Sequence, residues 1–235
     1  MFKGRDLDAL GLSSDEWTAI ELSLRVSIVA MLVSLPFGIG AALLLARGRF
    51  WGKSILNGLI HLPLILPPVV TGFILLILFG RKGPIGSLLE QYLGLVFSYR
   101  WTGAALACGV MGFPLMVRSI RLSVEAVDRK LEEAAGTLGA SPIWTFVTVT
   151  LPLSMPGILA SSTTAFAWTF SAFATPQMIG GGRVPTLSTL VYQLGLSSLN
   201  FPLAASLSVI GLALTAVSLL VFGKLTVRLK RIGGH

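Results

Sequence analysis

Five stretches of the chain contain no Asp, Glu, Lys or Arg: residues 26–46, 54–80, 101–117, 134–182 and 184–223. A helix that crosses a bilayer needs about 20 mostly apolar residues. Each stretch is long enough to hold one, if the third runs on through Arg118. The predicted spans are residues 20–46, 55–79, 102–120, 151–173 and 203–227. Together they make an all-α membrane protein, read as one transmembrane domain over residues 1–235. Pro63, Pro67 and Pro68 should distort the second span. Pro152 and Pro156 should bend the fourth near one end. Residues 174–202 are too polar and too rich in Gly for a simple span. They read as an outer loop, a short helix over residues 187–194, and a return.

Composition narrows the class. The chain is 54% hydrophobic and only 12% charged, about half the globular average of roughly 25%. That excludes a disordered chain and weighs against a soluble domain. The net charge of +8 does not point to nucleic acid, because the basic residues fall in short clusters without an aromatic-interleaved stripe. Arg47, Arg49 and Lys53 form one cluster; Arg118, Arg121, Arg129 and Lys130 a second; Lys224, Arg228, Lys230 and Arg231 a third. With five spans all three fall on one side, which the positive-inside rule makes the cytoplasm. The C-terminus is then cytoplasmic. The N-terminus, with Asp6, Asp8, Asp15, Glu16 and Glu21, lies outside and does not read as a signal peptide.

Several chemistries drop out. Cys108 is the single cysteine, so no intrachain disulfide or cysteine metal cluster forms. His61 and His235 have no nearby acid or histidine, so neither predicts a metal site. HExxH, GxSxG and an acid pair within a span are all missing, which speaks against an intramembrane enzyme. There is no GxxxxGK[ST] string, so the chain itself is expected to hold neither ATP nor any other cofactor.

The segment between the third and fourth spans is the most informative. Residues 128–142 read DRKLEEAAGTLGASP. Asp128 suits an N-cap, and Glu132 and Glu133 sit near the helix start, where the dipole favours negative charge. Gly139 suits the position after the helix, and Pro142 prevents continuation. The spacing predicts a short amphipathic helix over residues 129–139. An interfacial helix resting on lipid would show the same periodicity.

The literal string goes further. Glu133-Ala134-Ala135, three residues, Gly139, nine residues, then Val149-Thr150-Leu151-Pro152 resembles the EAA signature of ABC importer permeases, with Val149 where Ile is usual. The resemblance implies the type I importer permease fold and a cytoplasmic coupling helix that docks on a separate ATPase. It assigns that role to Glu132, Glu133, Ala134, Ala135, Gly139 and Pro152. ATP and Mg would be bound by the partner ATPase.

Residues 15–157 also look very like bacterial molybdate permeases, with the last span matching more loosely. The likeness breaks at Ser171-Ala172-Phe173-Ala174-Thr175, where molybdate and sulfate permeases carry Gly-Glu-Phe-Gly-Ala. The following PQMIGGGRVPTLSTLVYQ looks more like polyamine-type or ferric-type permeases. The resemblance therefore implies import of molybdate or a related oxyanion, with a polyamine-type or ferric-type importer as the alternative. Its implied partners are a second copy of the chain, two ATPase subunits, an extracytoplasmic solute-binding protein and the lipid of a bacterial inner membrane.

Candidate path residues come from the fourth span. Ser161, Thr164, Thr169 and Ser171, with Thr175 beyond it, supply hydroxyls, and neutral donors suit an oxyanion better than a polycation. Gly157, Ser161, Ala165 and Thr169 also form a small-residue ridge, for which ordinary helix packing is the favoured explanation over a lining of the path. Arg183 follows three glycines in the outer loop and could meet an anion or a binding protein's acidic surface. Arg25, inside the first span, is expected to snorkel outward.

Overall fold

The computed structural model describes residues 13–232, with the side chains of 225, 226 and 229–232 left aside. Asp6, Asp8 and His235 lie outside the described residues, and so do the side chains of Lys230 and Arg231. Among the described residues every regular element is helical.

Helix α1 (Ser14–Arg47) opens with a capping box, in which the Ser13 backbone N–H donates to Glu16 Oε2 at 2.8 Å. The second predicted span is two helices. α2 (Lys53–Ile65) and α3 (Pro68–Phe79) meet at a bend of 113°. The cause is local: Leu66 and Pro67 each precede a proline, which pushes them to extended backbone, and neither proline has an N–H for the helix. Among the described residues four helices are long and apolar enough to cross a membrane, and five spans result if the bent pair counts as one.

After α4 (Pro84–Leu93), helix α5 (Trp101–Glu125) forms the centre. α1 packs along one side and α8 (Leu151–Ser171) along the other. Leu45, Met116, Val117, Ile120, Ile158 and Phe166 fill the main core between them. Small residues allow the close approach, as in lipid, where packing rather than water expulsion joins helices. A Cβ on Gly157 would fall 1.5 Å from Ser123 Oγ, and one on Gly112 would meet the Thr169 methyl at 3.4 Å. The small-residue ridge of α8 is therefore part of the α5–α8 seam.

A short helix stands where a loop was expected after α8, and the short helix expected over residues 187–194 follows it. α9 (Ala174–Gly180) is buried against α3 and α5, with Thr175, Pro176 and Ile179 inside. Gly72 permits this, since a Cβ there would stand 2.8 Å from Met178 Cβ. α10 (Leu187–Tyr192) continues as a π-helical turn over Gln193–Ser197. Its first N–H, on Leu187, donates to Ser23 Oγ of α1 at 2.6 Å. The long α11 (Phe201–Ile232) follows, largely uncovered by the rest of the chain.

Candidate functional site

Helix α6 (Arg129–Thr137) stands between α5 and α8 at one end of the bundle, and none of its residues is buried. The Asp128 side chain accepts from Lys130 N at 3.0 Å, closing the N-terminus. At the other end Gly139 takes φ +87°. Its N–H donates to Gly136 O, and the Ala140 N–H donates to Ala135 O. These are the two bonds of a Schellman cap, which needs a left-handed residue where Gly139 stands. The short helix is thus closed at both ends by its own sequence.

Glu133 and Ala134 face outward. Beside them is an apolar surface that sequence reading missed. Leu138 is 88% exposed, Ile143 78% and Trp144 63%. Ile143 and Trp144 belong to α7 (Pro142–Thr145), whose start is capped by Ser141 Oγ accepting from Trp144 N. The signal was there: an isoleucine and a tryptophan follow the helix-stopping Pro142 in succession.

Glu132 points the other way. Its Oε1 accepts from Arg47 Nη2 at 3.0 Å and from Thr150 Oγ1 at 2.8 Å. The same Arg47 nitrogen donates to the carbonyls of Val124 (3.0 Å) and Val127 (2.9 Å). Val124 is in the last turn of α5, where its carbonyl also accepts from the Val127 N–H at 3.2 Å, and Val127 lies just past the helix end. Glu132 is therefore not an outward contact: both of its hydrogen-bonding partners lie on the bundle side. A cleft of about 520 Å³, lined by Arg47, Glu132, Glu133, Thr145 and Thr150 among others, separates α6 from the helix ends.

Pro152 lies beyond α6, in a rod that runs from α7 into α8. A π-helical turn over Phe146–Thr150 joins the two, with Leu151 N–H donating to Phe146 O. The wider turn just ahead of Pro152 accommodates a residue that has no N–H to offer the helix. Pro152 shapes the rod and lies outside α6, at the start of α8.

The candidate path residues divide. Thr164 and Ser171 face an open groove of about 670 Å³ between α8, α10 and α11, alongside Trp168, Ser188, Ser208 and Thr215. Ser161 and Thr169 are buried. Thr175 is buried as well and donates to Pro68 O at 3.1 Å, stitching α9 to the start of α3. Every one of these hydroxyls gives its proton to a backbone carbonyl. Ser161 donates to Ile158, Thr164 to Ala160, Thr169 to Phe166, and Ser171 to Ala167. In this conformation the hydroxyls are engaged within the bundle, and of the five only Thr164 and Ser171 face the groove.

At the far end of α5 from α6, Arg183 shares a cavity of about 760 Å³ with Arg81, Lys82 and Arg100. Its guanidinium lies 5.6 Å from the Tyr99 ring centroid. Gly181 allows the loop to approach that ring, where a Cβ would come within 2.5 Å. Arg81 pairs with Glu90 at 3.6 Å. Arg25 does not simply snorkel: its guanidinium stacks over Trp101 at 4.1 Å. Among the described residues no group of three His, Cys, Asp or Glu side chains could hold a metal ion.

The fold is a helical membrane bundle with a capped, exposed helix between two spans. The chain belongs to the family described as binding-protein-dependent transport system inner membrane component, which matches residues 34–231. It is 47% identical over 213 residues to the molybdenum transport system permease protein ModB of Escherichia coli K12, covering 89% of this chain and 93% of that protein. The Haemophilus influenzae ModB is 45% identical, covering 92% and 96%. The inward-facing MetNI methionine ABC transporter shares the fold at a TM-score of 0.69 and 15% identity, covering 97% of this chain and 99% of its own. A bacterial ABC transporter involved in alginate import does so at 0.73 and 17%, covering 97% and 84%.

Proposed function

We propose that this chain is the membrane permease of an ATP-driven importer for molybdate or a closely related oxyanion. The observation that carries the reading is the extent of the similarity to molybdenum permeases. An alignment spanning 89% of the chain must run through residues 171–185, the segment whose wording resembles polyamine-type and ferric-type permeases. That segment is a local variation within an otherwise continuous likeness.

The parts then take roles. A separate ATPase, holding ATP and Mg, grips α6 through Glu133, Ala134, Ala135 and the apolar group of Leu138, Ile143 and Trp144. Gly139 keeps the helix end closed. A second copy of the chain faces the groove beside Thr164 and Ser171, so the path runs between two permeases. The basic cavity around Arg183 lies on the outer side and receives an anionic surface of the solute-binding protein. The basic clusters at Arg47–Lys53 and Arg118–Lys130 put the α6 end in the cytoplasm, with the N-terminus outside and the C-terminus inside the cell.

The test is reconstitution with candidate ATPase and binding protein in proteoliposomes. ATPase activity should rise with binding protein loaded with molybdate. Stimulation by the spermidine-loaded form alone would overturn the oxyanion reading and move the assignment to the polyamine class.

A further inference from the structure

We infer that Arg47 and Glu132 form an internal latch that makes α6 move as one body with the ends of α1, α5 and α8. This rests on the reading of α6 as the ATPase contact.

A nine-residue helix with no buried residue is a poor lever unless something holds it to the bundle. Its contacts with the Phe146–Thr150 turn and with α7 bury none of its residues, so packing alone does not supply a firm hold. The latch does, and it converges on two atoms. Arg47 is the last residue of α1. Its Nη2 reaches Val124 O and Val127 O at the end of α5 and Glu132 Oε1 on α6, all within 3.0 Å. Glu132 Oε1 also takes the Thr150 proton from the turn that leads into α8. Four elements therefore meet at one nitrogen and one oxygen. Arg47 and Glu132 side chains are only 20% and 21% exposed, so water competes weakly for this pair. By contrast, the neighbouring Arg121–Glu125 ion pair joins residues of a single helix, and Arg121 reaches beyond it only to Asn57 Oδ1 of α2 at 3.5 Å, not to α6.

The chemistry divides the labour of the two adjacent glutamates. Glu133 faces out and is free to contact the ATPase, whereas Glu132 faces in and transmits the displacement. Arg47 and Glu132 are positioning residues, since neither touches substrate or nucleotide. Loss of the latch should leave the ATPase docked and turning over while the bundle fails to follow.

The experiment uses the full importer in proteoliposomes. The variants are Arg47→Met, Glu132→Gln and Thr150→Val. The readouts are ATPase co-purification, ATP turnover and oxyanion moved per ATP. Arg47→Met and Glu132→Gln should keep the ATPase bound and hydrolysing, yet lower transport per ATP about fivefold or more. The double variant should be little worse than Arg47→Met, because the Arg47–Glu132 contact is already lost in that single variant. Transport and hydrolysis falling in equal proportion would overturn the latch. Where Arg47→Met fails to fold, Glu132→Gln and Thr150→Val carry the same test.

A second measurement does not depend on activity. Spin labels at cysteines introduced at Arg49 and Lys130, both exposed, report the α1–α6 distance with and without nucleotide. Cys108, the only native cysteine, is buried. The distance should hold constant in the otherwise wild-type importer and change with nucleotide in Glu132→Gln. A wild-type distance that changes as much would defeat the latch. If the wild-type importer responds to no loaded binding protein, the functional reading fails instead, and the labels still judge the latch in the permease–ATPase complex.

Discussion

At the scale of single residues, two glycines are used for different reasons. Gly139 supplies a positive φ that closes α6. A side chain there costs about 1–2 kcal/mol in the left-handed region, more for a β-branched one. Gly139→Val should therefore fray the end of α6 and weaken ATPase co-purification, while the permease still inserts and resists proteolysis. Undiminished association in the variant would show that the cap is unimportant to docking. Gly157 has ordinary helical backbone but no room, since any Cβ overlaps Ser123. Gly157→Leu should open the α5–α8 seam and cost roughly 1–3 kcal/mol, read as a lower melting temperature in detergent. Pairing it with Ser123→Gly should recover part of the loss.

At the scale of elements, proline placement decides where a span is continuous. Pro67 and Pro68 stand together and break the second span into α2 and α3. Pro152 and Pro156 lie one helical turn apart in a rod that stays intact from Pro142 to Ser171. The difference lies in what precedes them: a π-helical turn absorbs Pro152, whereas Leu66 has no such relief. Thr175 then seals the break by donating to Pro68 O. Thr175→Val removes that bond while keeping the shape, and should cost about 1 kcal/mol. Faster hydrogen exchange confined to α3 and α9 would be the signature. Exchange unchanged in both helices would mean that packing at Gly72 alone holds them.

At the scale of the molecule, the two ends differ. The α6 end has a compact hydrogen-bonded node and an exposed apolar group. The far end has a cavity with four cations and Glu90 as the paired acid. A surface of that kind steers association more than it holds a complex. Arg183→Glu should slow binding-protein association severalfold at low salt, with the difference shrinking as ionic strength approaches roughly 0.15 M and the Debye length falls to about 8 Å. An association rate equal to wild type at low salt would remove this cavity from the docking surface.

What the sequence determined by itself were the features set within a few residues of one another. Charge-free runs are long enough to dictate spans, and Asp128, Gly139 and Pro142 close a helix through local backbone chemistry. The EAA spacing identified α6 on the same local basis. What only the tertiary structure decided were relations between distant positions. Arg47 and Glu132 are 85 residues apart, and nothing near Arg47 distinguishes a latch from a topology-setting charge. Which hydroxyls of α8 face the groove, Thr164 and Ser171, and which are buried, Ser161 and Thr169, is set by how α8 packs on its neighbours. The two neighbouring glutamates could not be told apart along the chain, because adjacent residues on a helix face different directions. Which one faces the bundle depends on how α6 sits against α1, α5 and α8, and that is a property of packing.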